Sequence, residues 1–388
     1  MALRFLTAGE SHGPALTVVV EGLPAGLPVP RDTIDRDLRR RMGGYGRGGR
    51  MKIEKDRVQF EGGVRFGRTL GSPVACRIEN LDFENWRDTM APEGAATDDR
   101  ALTRPRPGHA DLAGALKYRT HDARDVLERA SARETAARTV AGSLARCLLR
   151  RFGAEVTSRT VSVGEAREEG GDDDAFEALV ALSDDAPLRT LSEDASERMI
   201  AEIEAVRKRG DSIGGVFEVL ARGVPVGLGS HVHWDRRLDG RLAGALAGIQ
   251  AVKAVSIGDG IEGASRRGSE HHDAIEYDAA ARRFIRPTNR AGGIEGGISN
   301  GEIVRVLGYL KPLATLPRAL PSVDLKDKTA FEAQRERTDT IPIVAAGVVG
   351  EAMVAWVLAD EWLRKFGGDS VAEIAERIDA HARALAEY

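Results

Sequence analysis

The stretch ARDVLERASARETAARTVAGSLARCLLRR, residues 123–151, decides the fold class. Ala130, Ala137, Val140, Leu144 and Leu148 recur at helical spacing, which predicts one long helix from Ala123 to Arg151. A strand-like run follows at once over 154–163. Upstream, Leu16-Thr-Val-Val-Val20 reads as a strand running into a Gly/Pro-rich turn. Asp32 is expected to cap a helix reaching Met42, with Ile34 and Leu38 on one face. Further helices are expected near 194–209, 235–253, 347–366 and 370–386. Strands are expected near 51–62, 69–79, 214–222, 252–257 and 301–309. Strands and helices mix without a regular βαβ rhythm, no repeat has a fixed period, and no linker splits the chain. One α+β domain over residues 1–388 follows, rather than a Rossmann fold.

Composition narrows the function. With 42% apolar and 30% charged residues, the chain of 388 residues is that of a globular protein with a large core. No apolar run is read as a membrane span, and Met1-Ala2-Leu3-Arg4 leads straight into a strand without a secretory pattern. Cys76 and Cys147 sit in apolar settings and read as buried thiols, so a cytoplasmic location is expected. A net charge of −4 counts against a nucleic-acid binder. Nine of the 56 basic residues are lysine, so arginine dominates, and the arginines cluster.

Those clusters carry the candidate chemistry. Gly9-Glu-Ser11-His12-Gly13 is a tight turn that would present a hydroxyl and an imidazole to a ligand; an ordinary exposed turn is the alternative. Gly44-Tyr-Gly46-Arg47-Gly48-Gly49 satisfies G-x-G-x-x-G in form only, because no strand precedes it and arginines interrupt it. It reads better as an anion-binding loop with Arg41, Arg47 and Arg50, or as a flexible surface loop. In Thr103-Arg-Pro-Arg106-Pro-Gly-His109-Ala-Asp111, Arg106 and His109 are placed to enter a site, while Asp111 is a candidate helix cap. Arg129 and Arg133 share a helix face, with small residues Ala130, Ser131 and Ala132 between them. Lys311-Pro-Leu-Ala-Thr315 offers a cation and a hydroxyl. Asp339, beside Arg337, is an ion-pair partner or a proton acceptor. No zinc-type Cys/His spacing appears; the pairs His231/His233 and His271/His272 are in principle able to bind metal, but no metal site is expected. The stretch 165–197 is acidic and reads as a surface region. Many arginines, two or three histidines and one acid describe a pocket for a polyanionic small molecule with proton transfer.

Taken jointly, these segments resemble the chorismate synthase family. The resemblance rests on GESHGPALTVVVEGLPAG (9–26), ERASARETAARTVAGSL (128–144) and RTDTIPIVAAGVVGEAMV (337–354). RPRPGHAD, RLAGALAGIQAVKAVSIGDG, RPTNRAGGIEGGISNG and KPLATLPRAL match between and beside them. It implies a β-α-β sandwich with long central helices and Gly/Arg-rich active-site loops, assembled as a homotetramer. It further implies anti-1,4-elimination of phosphate from 5-enolpyruvylshikimate 3-phosphate, with reduced FMN required but no net redox change. By position, His12 and His109 match the two catalytic histidines, Asp339 the acid that helps deprotonate flavin N5, and Ser11 and Ser131 the supporting hydroxyls.

The resemblance also places the ligands. Arg41, Arg47, Arg50, Arg106, Arg133 and Arg337 match substrate-binding positions, and Arg41 and Arg47 also match positions that contact NADPH. Arg129, Ala130, Ser131, Gln250, Ala251, Gly296, Lys311, Pro312, Leu313, Ala314, Thr315 and Arg337 match FMN contacts. Thr338 departs from the Ser or His commoner there. An external source of reduced FMN is expected, since no flavin-reductase domain is evident. The competing functions are a flavoprotein oxidoreductase turning over with NADPH and a non-catalytic anion or RNA binder.

Overall fold

The computed structural model describes residues 3–49, 53–95, 100–169, 175–336 and 338–388. The strands of its two main sheets and its helices of seven or more residues are numbered in chain order. The first sheet contains β1 (Arg4–Ala8), β2 (Ala15–Glu21), β3 (Gln59–Gly62) and β4 (Val74–Glu79), in the order β1-β2-β4-β3 and antiparallel throughout. The second contains β5 (Glu155–Val163), β6 (Ala166–Arg167), β7 (Gly215–Arg222), β8 (Val252–Ile257) and β9 (Val304–Leu310), in the order β8-β9-β7-β5-β6, again antiparallel. The helices are α1 (Arg31–Met42), α2 (Asp111–Tyr118), α3 (Arg124–Ala130), α4 (Thr135–Arg151), α5 (Glu193–Lys208), α6 (Leu238–Ala247), α7 (Ile343–Phe366) and α8 (Val371–Glu387). The chain is α+β.

Side-chain periodicity sets the layers. Along β2, Leu16, Val18 and Val20 are buried while Val19 points outward, the period of two that a half-covered sheet requires. The covered face lies against α4. The second sheet lies against α7, and α4 packs on α7 between the sheets. Gly142 of α4 makes that close contact feasible, since a Cβ there would meet the Ala352 Cα at 2.3 Å. α7 is largely apolar around its circumference and buried along its length except at Arg364 and Lys365 in the last turn, as such a helix must be. Its 24 residues are long and apolar enough to cross a membrane, a run that the sequence reading overlooked; here it is the core helix. One buried apolar cluster runs through both sheets and the helices between them.

Buried charge fastens the middle layer. Glu351 of α7 accepts from Arg40 at 2.6 and 2.7 Å and from Ser158 at 2.7 Å, and lies 3.0 Å from Arg146. Asp37 accepts from Arg146 at 2.7 Å and from Ser143 at 2.8 Å. Burial alone would push the Glu351 carboxyl up, but Arg40 and Arg146 hold it well below the usual range.

Several expectations are corrected. The helix expected over 123–151 breaks at Ser131, whose extended backbone (φ −58, ψ 139) separates α3 from a 3-10 turn and α4. Its hydroxyl accepts from Arg133 N, the capping role in which serine outcompetes helix propagation. Asp32 is not the cap of α1; Pro30 holds that position and Asp32 lies in the first turn. Among the described residues of the strand expected over 51–62, only Gln59–Gly62 forms, and the helix expected over 235–253 shortens to Leu238–Ala247. The acidic stretch is not merely surface. Glu168 is buried and accepts from Leu191 N and Ser192 N, and Phe176 and Leu179 pack on Leu220.

Candidate active site

A cavity of about 390 Å³ opens where the break at Ser131 faces the Gly9–Gly13 turn. Ser11, His12, Arg41, Arg47, Arg106, His109, Arg133 and Asp339 all border it, so segments far apart in sequence meet there. Ala130, Ser131 and Ala132 line one side and leave room for a flat ligand, and Leu127, Ile249 and Leu313 add apolar wall.

The first imidazole is held on three sides. Ser11 N donates to the Glu128 carbonyl at 2.9 Å, and Ser11 Oγ donates to Ser131 Oγ at 3.0 Å. His12 N donates to the Glu128 carboxylate at 2.8 Å, and His12 Nδ1 lies 2.9 and 3.0 Å from its two oxygens. The ring stacks on Trp86 with centroids 3.9 Å apart and planes 23° apart. Burial would raise the Glu128 carboxyl, but its hydrogen bonds from His12 outweigh burial and hold it low.

The second imidazole has its own carboxylate. His109 Nδ1 lies 2.5 Å from Asp111 Oδ1, and Arg106 donates to the same carboxylate at 2.8 and 3.0 Å. Arg106 NH2 also lies 3.0 Å from His109 Nδ1, but a nitrogen cannot both accept from Arg106 and donate to Asp111. The shorter contact to a fully buried carboxylate decides for donation to Asp111. Burial would raise Asp111; His109 and Arg106 together hold it far below the ordinary range. Asp111 therefore does not cap α2. It is the first residue of that helix, behind Ala110, with its side chain turned back to the loop.

The arginines are fixed rather than free to fork around an anion, which revises the loop reading. Arg133 donates to Asp56 at 2.7 Å and to Asn80 at 2.9 Å, and lies 3.6 Å from Glu54. Arg41 donates to Thr135 at 3.0 Å and reaches Asp56 at 3.5 Å. Arg106 adds a bond to Thr315 at 2.8 Å. Arg47 Nε pairs with Asp339 at 3.2 Å, and Gly48 N donates to Asp339 at 2.6 Å, which docks the Gly/Arg loop on that carboxylate. Such guanidiniums are preorganised: their positions are set before any ligand arrives.

Not every expected residue arrives. Ala130, Ser131, Gln250, Ala251, Lys311, Leu313, Ala314 and Thr315 border the cavity. Arg129 instead donates to Gly9 and Thr7 carbonyls at 3.0 and 2.9 Å, bracing the His12 turn from outside. Gly296 turns a hairpin at φ +58, and neither it nor Pro312 borders the cavity. Arg50 and Arg337 lie outside the described residues. Among the described residues no group of His, Cys, Asp and Glu is arranged to hold a metal. The residues that sequence reasoning missed are Glu128, Asp111, Trp86, Glu54, Asp56 and Asn80. Of these, Glu128 and Asp111 stood inside quoted motifs and were readable as partners for the nearby basic residues.

The cavity fits a flavin on its own chemistry. Gln250 Nε2 faces Glu134 at 3.4 Å, while Gln250 Oε1 is buried without a hydrogen-bond partner, an acceptor awaiting a ring N–H. Burial, with Lys253 nearby, depresses the Lys311 ammonium, a cost that a bound anion would offset.

Comparison with known proteins identifies the family. The sequence model of the chorismate synthase family matches residues 3–363. A chorismate synthase of Desulforudis audaxviator is 57% identical over 388 aligned residues, covering 99% of this chain and 97% of that protein. One from Desulforamulus reducens is 54% identical, covering 97% of each. A crystal structure of chorismate synthase superposes with a TM-score of 0.80 at 38% identity, covering 100% of this chain and 99% of that one. On sequence and fold together, the chain belongs to the chorismate synthase family.

Proposed function

We propose that this chain converts 5-enolpyruvylshikimate 3-phosphate to chorismate and phosphate by anti-1,4-elimination, the closing step of the shikimate route toward the aromatic amino acids. The observation that carries the reading is the meeting of two carboxylate-backed imidazoles, Asp339 and four fixed guanidiniums in one cavity of a chain from this family. The substrate bears a phosphate and two carboxylates, and the cationic wall of Arg41, Arg47, Arg106 and Arg133 complements it.

Reduced FMN, when bound, would lend electron density as the carbon–oxygen bond breaks and recover it as the C6 hydrogen leaves. Gln250, Ala251, Lys311, Leu313, Ala314 and Thr315 are the residues that would hold it. His12 serves the departing phosphate by keeping a proton at the cavity. His109 holds a proton for the flavin side. Asp339, held beside Arg47 and Gly48 N, is the carboxylate that accepts a proton. Ser11 and Ser131 relay through their hydroxyl pair. Two imidazoles and one acid thus divide the acid and base work.

The layering of sheet, helices and sheet supports the β-α-β sandwich, and the continuous core supports a single domain. A homotetramer, a cytoplasmic setting and an external supply of reduced FMN complete the proposal. NADPH contact at Arg41 would require that buried side chain to leave Thr135. The test is anaerobic incubation with the enolpyruvyl substrate and photoreduced FMN, following phosphate. Release no faster than with oxidised FMN rejects the elimination. NADPH oxidation without substrate would favour an oxidoreductase instead.

A further inference from the structure

We propose that Glu128 is a positioning residue for His12, fixing which ring nitrogen exchanges protons with the cavity; this rests on the phosphate-elimination reading above. Glu128 is fully buried. Both of its oxygens face His12, one taking the backbone N–H at 2.8 Å and both lying within 3.0 Å of Nδ1. Its own carbonyl takes the Ser11 N–H. One residue on α3 therefore fixes backbone and ring together, across 116 positions of sequence.

An ionised carboxylate only accepts, so Nδ1 must carry a proton. Proton exchange with a ligand then runs through Nε2. Arg124, 3.6 Å from Glu128, keeps the carboxylate charged. Trp86 sets the ring plane, and the Glu128 carboxylate selects the flip in which Nδ1 rather than the Cδ2 edge faces it. The arrangement is the orienting logic of an acid behind a catalytic imidazole, reached here without a nucleophile.

Glu128→Gln separates positioning from support. The amide keeps the shape and keeps one oxygen, which the His12 N–H claims. Its NH2 group is then left facing Nδ1, which becomes an acceptor, and the proton moves to Nε2. The expected result is a kcat lower by about 100-fold or more, with KM and flavin affinity changed less than threefold. In a His12→Ala background the same substitution should cost nothing further. A kcat within threefold of the parent, or an equal loss in the His12→Ala background, would overturn the assignment. Nitrogen-15 NMR of histidine-labelled parent protein, with His12 identified by its absence from His12→Ala, reads the proton directly. A protonated Nδ1 in the parent is expected, and a bare Nδ1 overturns the proposal even if Glu128→Gln does not fold. Phosphate release by the parent is measured first: its failure rejects the reaction, whereas the NMR result stands apart from it.

Discussion

Gly48→Ala tests whether the Gly/Arg loop must dock for the reaction to proceed. A Cβ at Gly48 would stand 2.5 Å from the Thr338 carbonyl oxygen and 3.2 Å from Asp339 Oδ1. Both belong to the segment that Gly48 N anchors. To reach an ordinary contact the loop must withdraw by about 1 Å, and a displacement of ~1 Å in a positioned group costs on the order of 100-fold in rate. The lost anchor alone gives a similar figure. A hydrogen bond to a charged group contributes about 1.5–3 kcal/mol, or roughly 10- to 150-fold. The neighbouring Gly49 supplies the control, since a Cβ there meets nothing within 4 Å. Anaerobic phosphate release should therefore fall about 100-fold in kcat/KM for Gly48→Ala, with Gly49→Ala near the parent. Flavin affinity should hold in both, because the flavin-side residues lie elsewhere on the cavity. Equal activity in the two variants would refute the claim that docking on Asp339 matters.

Other expectations follow from the buried charges. Glu351→Gln leaves Arg146 with Asp37, and Arg40 with Asp37 and a longer contact to Asp184; breaking such a buried pair costs about 3–5 kcal/mol. With an unfolding entropy near 0.8 kcal/mol/K for a chain this long, Tm should drop by about 4–6 °C; a drop under about 1 °C would dismiss the network as a stabiliser. Asp111→Asn removes the negative charge behind His109 and should lower kcat by about 100-fold, with flavin binding by calorimetry unchanged; an unaltered kcat counts against the dyad. Glu128, Asp111 and Glu351 all have carboxyls lowered in the folded state. Their stabilisation is complete above the unfolded values of ~3.9–4.3 and is lost as pH falls through the lower folded values. Tm should stay level from about pH 7 to 5 and fall below about pH 4; a rise on acidification would reverse the sign.

How much of this was legible in the sequence depended on range. Periodicity marked α1, α5, α7 and α8 closely, because each has a continuous apolar stripe or is apolar throughout. It failed at Ser131, where the apolar spacing runs on but a hydroxyl caps a new turn and meets Ser11, 120 residues away. Motifs named His12, His109 and Asp339, since unusual residue types in glycine-rich settings stand out locally. They could not show that Asp56, in an apparent strand, neutralises Arg133 across 77 positions. Nor could they show that Glu168 turns inward to take two backbone N–H groups. Acidic side chains in a polar stretch look solvated until the fold supplies their partners.

The contact at Gly142 has a further consequence, for inhibitor design. Where α4 meets α7 the Gly142 backbone packs directly on Ala352, whose methyl is the nearest side-chain group and cannot rotate aside. A compound cannot wedge open a cryptic groove between the layers there without separating main chain from main chain. Useful plasticity is thereby confined to the rim, in the loops bearing Arg47 and His109. Selectivity between related enzymes should be sought among those loops and not in the interior.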